Sequence, residues 1–406
     1  MAQSIVARVA DADSLSRAWK KIRSNVPGPR RGKVDSRGDS VNSIDENLRI
    51  SLSEIAKALR SPLGYQFKSL VAYAIPKKEP NKYRIICVPS FRDRIVQRAV
   101  LNYLADGDHF GLENSISFGY VSDPEKSVAK AATLARQERK NHPWAYKTDI
   151  TQFFDRIPRD ALTDRISKLC RSKPLRELLR RALSCEIAKD SPASETIISS
   201  QGIKDGVGVR QGMPLSPLFA NVVLRDFDRM MKKKNIRMIR YADDLIALAD
   251  SYDECLRIHA FCEKELSKVK LTIPAVGPPG ESKTQIAEPE QSIEFLGVSL
   301  ERGPGGDGYI LNIPKTCMDK MRDRIANFGD LSHLSSRGIT IASIGRAISD
   351  QRDGWISAYS YCSNAAILKP SLHSWTSQAI QRLFTKDFKL DIANLSAPHR
   401  AFLLIP

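Results

Sequence analysis

The chain has 406 residues, 42% hydrophobic and 27% charged, the balance of a soluble globular protein with two or three domains. No run approaches the roughly 18 apolar residues that span a bilayer, and Met1 to Ser4 lead into Asp11 and Asp13 without a secretory apolar stretch, so a cytoplasmic location is expected. A formal net charge of +17 and a pI near 9.6 point to a polyanionic partner, nucleic acid before a merely solvated surface, because basic groups set against phosphates release condensed counterions.

Leu15, Ala18, Trp19 and Ile22 recur at helical spacing behind Ser14, which predicts a capped helix over 14–26 with a basic outer face. Pro27 to Lys33 break it, and a basic flexible loop to about residue 42 serves either as a phosphate contact or as a solvated linker. A second helix over 44–60 would bury Ile44, Leu48, Ile50, Leu52, Ile55 and Leu59. Residues 74–89 read as two strands around a turn flanked by Lys77 and Arg84, a pattern that suits a triphosphate clamp and a solvent-facing hairpin alike. A helix starts near Asp93, Ser117 to Tyr120 mark a loop, and a helix follows over 124–140.

Trp144 to Asp149 form a strand that delivers Asp149 at its end, with Phe153 and Phe154 just after. Pro158 opens the next helix where its missing N–H is harmless, and Asp155 reads as a cap for that helix, not as a metal ligand. Residues 186–207 look like a loop or hairpin. Gly206 to Asn221 are a glycine- and proline-rich loop running into a helix from Pro217 to Lys232. Either backbone and helix N-terminus approach an anionic ligand there, or the stretch is an ordinary junction.

Residues 237–248 read as a β-hairpin, with Ile239 and Tyr241 alternating with Arg240 before the adjacent acids Asp243 and Asp244 at the tip. Adjacent carboxylates are ordinary turn chemistry, or their repulsion is relieved by a divalent cation taking hard oxygen ligands. A helix over 252–269, a turn ending in Lys283, a strand over 293–300 and a glycine-rich linker over 303–308 follow. From Ile313 the chain is mostly helical and basic, with a final helix near 371–385. Seven cysteines without a C-x-x-C pair and six scattered histidines indicate reduced thiols and no zinc site, His259 with Cys255 and Cys262 being packing.

Taken in order, the basic hairpin, the aspartate before aromatics, Gln211-Gly212 with Ser216-Pro217, Tyr241-Ala242-Asp243-Asp244, the lysine turn and Phe295-Leu296-Gly297 resemble the reverse transcriptases, most closely the bacterial group II intron-like lineage. Size and layout are similar to its free-standing "unknown group", several of which are associated with phage defence. The resemblance implies an α+β right-hand polymerase: a helical extension over 1–70, fingers and palm of antiparallel sheet plus helices over 71–300 (fingers about 71–142, palm about 143–300), and a helical thumb over 309–406. It makes Asp149, Asp243 and Asp244 the catalytic acids, which with the Ile150 carbonyl hold two Mg²⁺ ions, Mn²⁺ substituting. Lys77 and Arg84 would contact the triphosphate, Gln211 and Gly212 the nascent base pair, and Lys283 the departing pyrophosphate. Phe154 falls at the steric gate against a 2′-hydroxyl; RNA polymerases put an aspartate there, and here the acid comes one residue later, at Asp155.

Three departures bear on placement. Arg210 stands where group II intron enzymes have Pro before Gln-Gly, a form closer to non-LTR retroelements; no Cys/His-rich endonuclease region follows the thumb, so autonomous mobility is not expected; and the Val-Thr-Gly signature of retron enzymes is missing. The expected activity is RNA-directed DNA synthesis from deoxynucleoside triphosphates on a structured non-coding RNA, giving an RNA–DNA hybrid, with no membrane partner. The alternatives are a maturase acting as a splicing cofactor and template-independent DNA synthesis.

Overall fold

The computed structural model describes residues 4–77, 79–121, 123–306, 308–390, 394 and 396–398; Lys78 of the basic turn, Asp307 of the glycine-rich stretch and the last residues of the expected thumb lie outside the described residues. The helix Ala12–Ser24 buries Leu15, Ala18, Trp19 and Ile22 as the spacing predicts. Its cap is Asp11, whose carboxylate accepts from the Asp13 N–H at 3.0 Å, while Ser14 lies buried inside the first turn. The helix expected over 44–60 is two, Val41–Glu46 and Leu48–Arg60, separated at Asn47. Ile50 sits about 200° around the helix from Leu52, so both cannot face the core, and Ile50 is 62% exposed.

The basic loop is pinned rather than flexible. Asp35 accepts from the Phe91 N–H at 2.5 Å, Arg92 pairs with Asp39 at 2.7 Å, and Arg37 donates to Asp93 at 3.0 Å. Asp93, 1% exposed, also accepts from the Tyr65 hydroxyl at 2.9 Å and the Lys68 N–H at 3.1 Å. One buried carboxylate therefore ties the loop to the helix Phe91–Ala105.

Strands β1 (Val71–Pro76) and β2 (Tyr83–Val88) pair antiparallel, from Val71 opposite Val88 to Pro76 opposite Tyr83. Alternation buries Ala72, Ile85 and Cys87 and leaves Tyr73 and Ile75 exposed. Residues 186–193 are not a hairpin but cover the edge of β1: the Leu70 N–H donates to Glu186 O at 2.8 Å and the Ala193 N–H to Ala72 O at 3.0 Å. A short helix, Glu195–Ser200, follows.

Strands β3 (Trp144–Asp149), β4 (Arg237–Tyr241), β5 (Asp244–Ala249) and β6 (Gln285–Ala287) form a sheet in the order β4-β5-β3-β6. The strand expected over 293–300 is instead a hairpin of β7 (Ile293–Phe295) and β8 (Val298–Arg302). Its two-residue loop, Leu296 and Gly297, has φ of 53° and 80°, the positive pair that tight hairpins favour. The stretch read as a linker lies between paired strands, since β8 pairs antiparallel with β9 (Tyr309–Asn312) and the Gly303 N–H donates to Gly308 O at 2.9 Å.

The chain divides into two compact units, Met1–Lys126 with Thr148–Leu245 and Leu256–Thr284, and Ser127–Lys147 with Ile246–Cys255 and Gln285–Pro406. The second holds β7 to β9 and the helices Lys315–Ala326, Ile341–Ala358 and Leu368–Arg382. Its core contains a fully buried Arg139, which donates to the carbonyls of Leu300 at 2.9 Å and Gln291 at 2.7 Å and lies 4.4 Å from the Tyr309 ring centroid. The cysteines are free thiols, and all but Cys317 are buried. Among the described residues no helix is long and apolar enough to cross a membrane.

Candidate active site

Ala242 and Asp243 link β4 to β5, so the hairpin forms as expected, with Asp243 in its turn and Asp244 opening β5. Ala242 adopts φ 58°, a left-handed conformation that costs an L residue roughly 1–2 kcal/mol. Something must hold it, and Arg240 does. Strand alternation turns Arg240 away from Ile239 and Tyr241, yet it is 1% exposed. Its Nε and Nη2 donate to the Asp228 carboxylate at 2.7 and 2.6 Å, and Nη1 donates to Ala242 O at 3.0 Å and Asn221 Oδ1 at 3.1 Å. Nη2 also reaches Ser117 Oγ at 2.8 Å.

Residues 116–119 brace the same turn, with the Phe118 N–H on Arg240 O at 2.8 Å. A Cβ on Gly119 would lie 2.4 Å from the Ala242 nitrogen, closer than any real contact. Gly119→Ala is therefore expected to lower stability by about 1–3 kcal/mol and to shift the acidic tip; thermal melting together with a catalytic assay checks both. Arg240, Asp228, Asn221 and Gly119 escaped sequence reasoning. The available signal was a charged residue embedded in an apolar strand, with a matching acid on the helix Ser216–Lys233.

Asp149 ends β3 beside this tip: the Ile150 N–H donates to Asp243 O at 3.1 Å. The next residue back, Thr148, points into the core and meets Thr284 through their hydroxyls at 2.6 Å. Thr284 in turn donates to Pro274 O at 2.7 Å, which docks the lysine turn on β3 and aims Lys283 at Asp149. Lys283 Nζ donates to Asp149 Oδ2. The other oxygen, Oδ1, is buried with no hydrogen-bond partner.

Charge is crowded here. Burial and the neighbouring Asp149 carboxylate raise the Asp243 pKa above the ordinary aspartate value, against a backbone hydrogen bond and the Lys283 and Arg84 cations. Burial opposes charge on Lys283, but its bond to Asp149 and the fields of Asp149, Asp243 and Asp244 outweigh it and raise its pKa. Among the described residues no group of three or more His, Cys, Asp or Glu is assembled closely enough to hold a metal ion. The donors nonetheless suit a divalent cation: mutually repelling hard carboxylate oxygens, one of them buried and unpaired.

Of the remaining candidates, Arg84 is brought into the electrostatic reach of these acids. Lys77 and Arg84 are exposed on the β1–β2 hairpin, and the Arg84 charge reaches Asp243. Gln211 bonds through its carbonyl to the Cys87 N–H at 2.7 Å, and Gly212, at φ 111°, leaves no room for a Cβ, which would lie 2.5 Å from Cys87 O. Phe154 is half-buried, and its carbonyl accepts from the Val209 N–H at 2.6 Å.

Two expectations are corrected. Asp155 is not a cap: it lies within the helix Phe153–Arg156 and accepts from Gln211 Nε2 at 3.3 Å, while Arg159–Leu169 starts at Pro158 without a side-chain cap. The N-terminus of Ser216–Lys233 is not offered to a ligand, because Leu215 and Ser216 are buried and Ser216 Oγ donates to Arg210 O at 2.7 Å. Arg210 itself is 1% exposed and donates to Glu186 at 2.6 Å, holding the loop from beneath.

An acidic hairpin tip joined to a strand-end aspartate, within α+β architecture, is the arrangement expected in the palm of a right-hand nucleic-acid polymerase. The chain belongs to the reverse transcriptase (RNA-dependent DNA polymerase) family, whose model matches residues 75–300. It is 23% identical over 229 residues to the group II intron-encoded protein LtrA of Lactococcus lactis subsp. cremoris, a match covering 56% of this chain and 35% of LtrA. It is 26% identical over 229 residues to the protein YkfC of Escherichia coli K12, covering 53% of this chain and 55% of YkfC. The chain thus spans about a third to about half of the length of these curated relatives. Solved structures with some likeness include telomerase from Candida albicans with a telomeric RNA fragment, at 14% identity, TM-score 0.36, covering 87% of this chain and 66% of that one. A partial Cas6-RT-Cas1–Cas2 complex also matches, at 25% identity and TM-score 0.36, covering 66% of this chain and 42% of the other.

Proposed function

We propose that this protein extends a primer on an RNA template with deoxynucleotides, as an RNA-directed DNA polymerase whose Asp149, Asp243, Asp244 and Ile150 carbonyl hold two Mg²⁺ ions. The observation that carries the reading is the hydrogen bond of 3.1 Å between Ile150 N–H and Asp243 O, which joins acids from distant parts of the chain while Asp149 Oδ1 stays buried and unpaired. Divalent cations bound there, Mg²⁺ or Mn²⁺, would supply positive charge against the negative charge that develops on the attacking 3′-oxygen and on the leaving pyrophosphate.

The chain's own groups orient the reactants. Arg84 and Lys77 bind the triphosphate, a guanidinium matching phosphate oxygens two at a time. Gln211 and Gly212 lie along the nascent base pair, where the bare Gly212 backbone admits close approach. Lys283, kept protonated by the carboxylates around it, stands ready to supply charge to the pyrophosphate. The Phe154 ring excludes a 2′-hydroxyl, so deoxynucleotides are the substrates.

The +17 charge and the family resemblance support a structured bacterial non-coding RNA as partner, a cytoplasmic location and a role in antiphage defence. RNA copurifying with the protein tests this: one abundant short non-coding RNA is expected, and an intron transcript would instead indicate a splicing cofactor. Primer extension on an RNA template is the test of the chemistry. Phe154→Ala is expected to lower discrimination against ribonucleotides on the order of tenfold or more, and a parent enzyme that prefers ribonucleotides would sink the gate assignment.

A further inference from the structure

Residues 117–120 end in a side chain to which the polymerase reading gives no work. Tyr120 stands at φ 61°, a genuine outlier for a bulky residue. The surroundings impose that conformation. Asn221 Nδ2 donates to the carbonyls of Gly119 at 3.0 Å and Tyr120 at 3.3 Å, and Gly119 is wedged against the backbone of Ala242. The Tyr120 phenol lies within the field of the acidic tip: burial first and the Asp243 charge second raise its pKa, and Arg84 opposes them.

The ring is 47% exposed but not idle. It meets the Phe154 ring edge to face, centroids 6.3 Å apart and planes at 69°. Phe154 also meets the buried Phe153 ring, centroids 5.4 Å apart. A steric gate discriminates only if it cannot swing aside, and Phe154 is half-buried, so its rigidity must come from these neighbours.

We propose that Tyr120 is a positioning residue for sugar selection, its ring locked by a constrained backbone and buttressing Phe154 against the space of a 2′-hydroxyl. This rests on the reading of Phe154 as the gate. The hydroxyl is not required; the ring is.

The test is the ratio of kcat/KM for a deoxynucleotide to that for the matching ribonucleotide, measured by the full chain on an RNA template. Because the ratio is internal to each variant, a reduced folded fraction does not move it. Tyr120→Ala should lower it about 3- to 10-fold, Tyr120→Phe should leave it within about twofold, and Tyr120→Ala should add nothing to Phe154→Ala. An unchanged ratio in Tyr120→Ala, beside a fall in Phe154→Ala, overturns the buttress and spares the gate. A fall in Tyr120→Phe equal to that in Tyr120→Ala also overturns it, because the hydroxyl would then be the active group. If Phe154→Ala leaves the ratio unchanged, the gate fails and the buttress with it; if the parent chain extends no primer, the polymerase reading itself fails.

Discussion

Asp243→Asn is expected to lose nucleotide addition by roughly 10³-fold, since removing a metal-holding carboxylate forfeits several kcal/mol of transition-state stabilisation, while melting no lower than the parent chain at neutral pH. The second half follows from electrostatics. Burial and Asp149 raise the folded-state pKa of Asp243, so the ionised carboxylate is disfavoured in the folded state relative to the unfolded one. The folded state then binds more protons than the unfolded state, and stability falls as pH rises through the interval between the unfolded and the raised folded values. Asparagine removes that cost. Its advantage over the parent should be largest at neutral pH and vanish on acidification below the ordinary carboxylate range, where Asp243 is neutral in both states. Single-turnover primer extension and melting curves across pH measure the two effects separately. Residual activity within tenfold of the parent, or a lower melting point at neutral pH, would show that Asp243 is not a strained metal-holding group.

Local chemistry explains which parts of the architecture were legible. The turn at Ala242-Asp243, the end of β3 at Asp149 and the β1–β2 hairpin are each specified by neighbours in sequence, through strand alternation around a polar tip. The hairpin within 293–300 was hidden because its loop spends a leucine at φ 53°, a residue that does not announce a turn. The edge cover at residues 186–193 was hidden for a different reason. It has no pattern of its own and is defined by backbone bonds to Leu70 and Ala72, more than a hundred residues away in sequence. Around the acids, Asp149 ends a strand and Asp243 and Lys283 sit in recognisable turns, whereas Asp155 changes meaning once Gln211, on a loop distant in sequence, donates to it. Long-range partners decide the role of a polar residue, and periodicity does not carry them.

Arg240 is the extreme case, and its removal is expected to have the largest effect on stability. Arg240→Ala should cost about 3–5 kcal/mol, because Asp228, itself 1% exposed, would be left as a buried charge without its counterion. Asn114 Nδ2, at 3.2 Å from Asp228, is a neutral donor and cannot replace a guanidinium that bonds both carboxylate oxygens. Asn221 Oδ1, Ser117 Oγ and Ala242 O would lose a donor in the same step. Lysine should rescue poorly, since one ammonium cannot span these partners in a planar fork. Combining Arg240→Met with Asp228→Leu removes both charges and should recover much of the stability, as apolar replacement of buried pairs commonly does. Activity should not return with it: the Ala242 carbonyl would have lost its anchor, the left-handed turn would relax, and Asp243 would no longer be fixed beside Ile150. Urea unfolding followed by tryptophan fluorescence, with primer extension on the same preparations, separates the two outcomes. An unfolding midpoint unmoved by Arg240→Ala would remove the buried pair as the support of the acidic tip, and full activity in the doubly apolar variant would remove Arg240 from the positioning of Asp243.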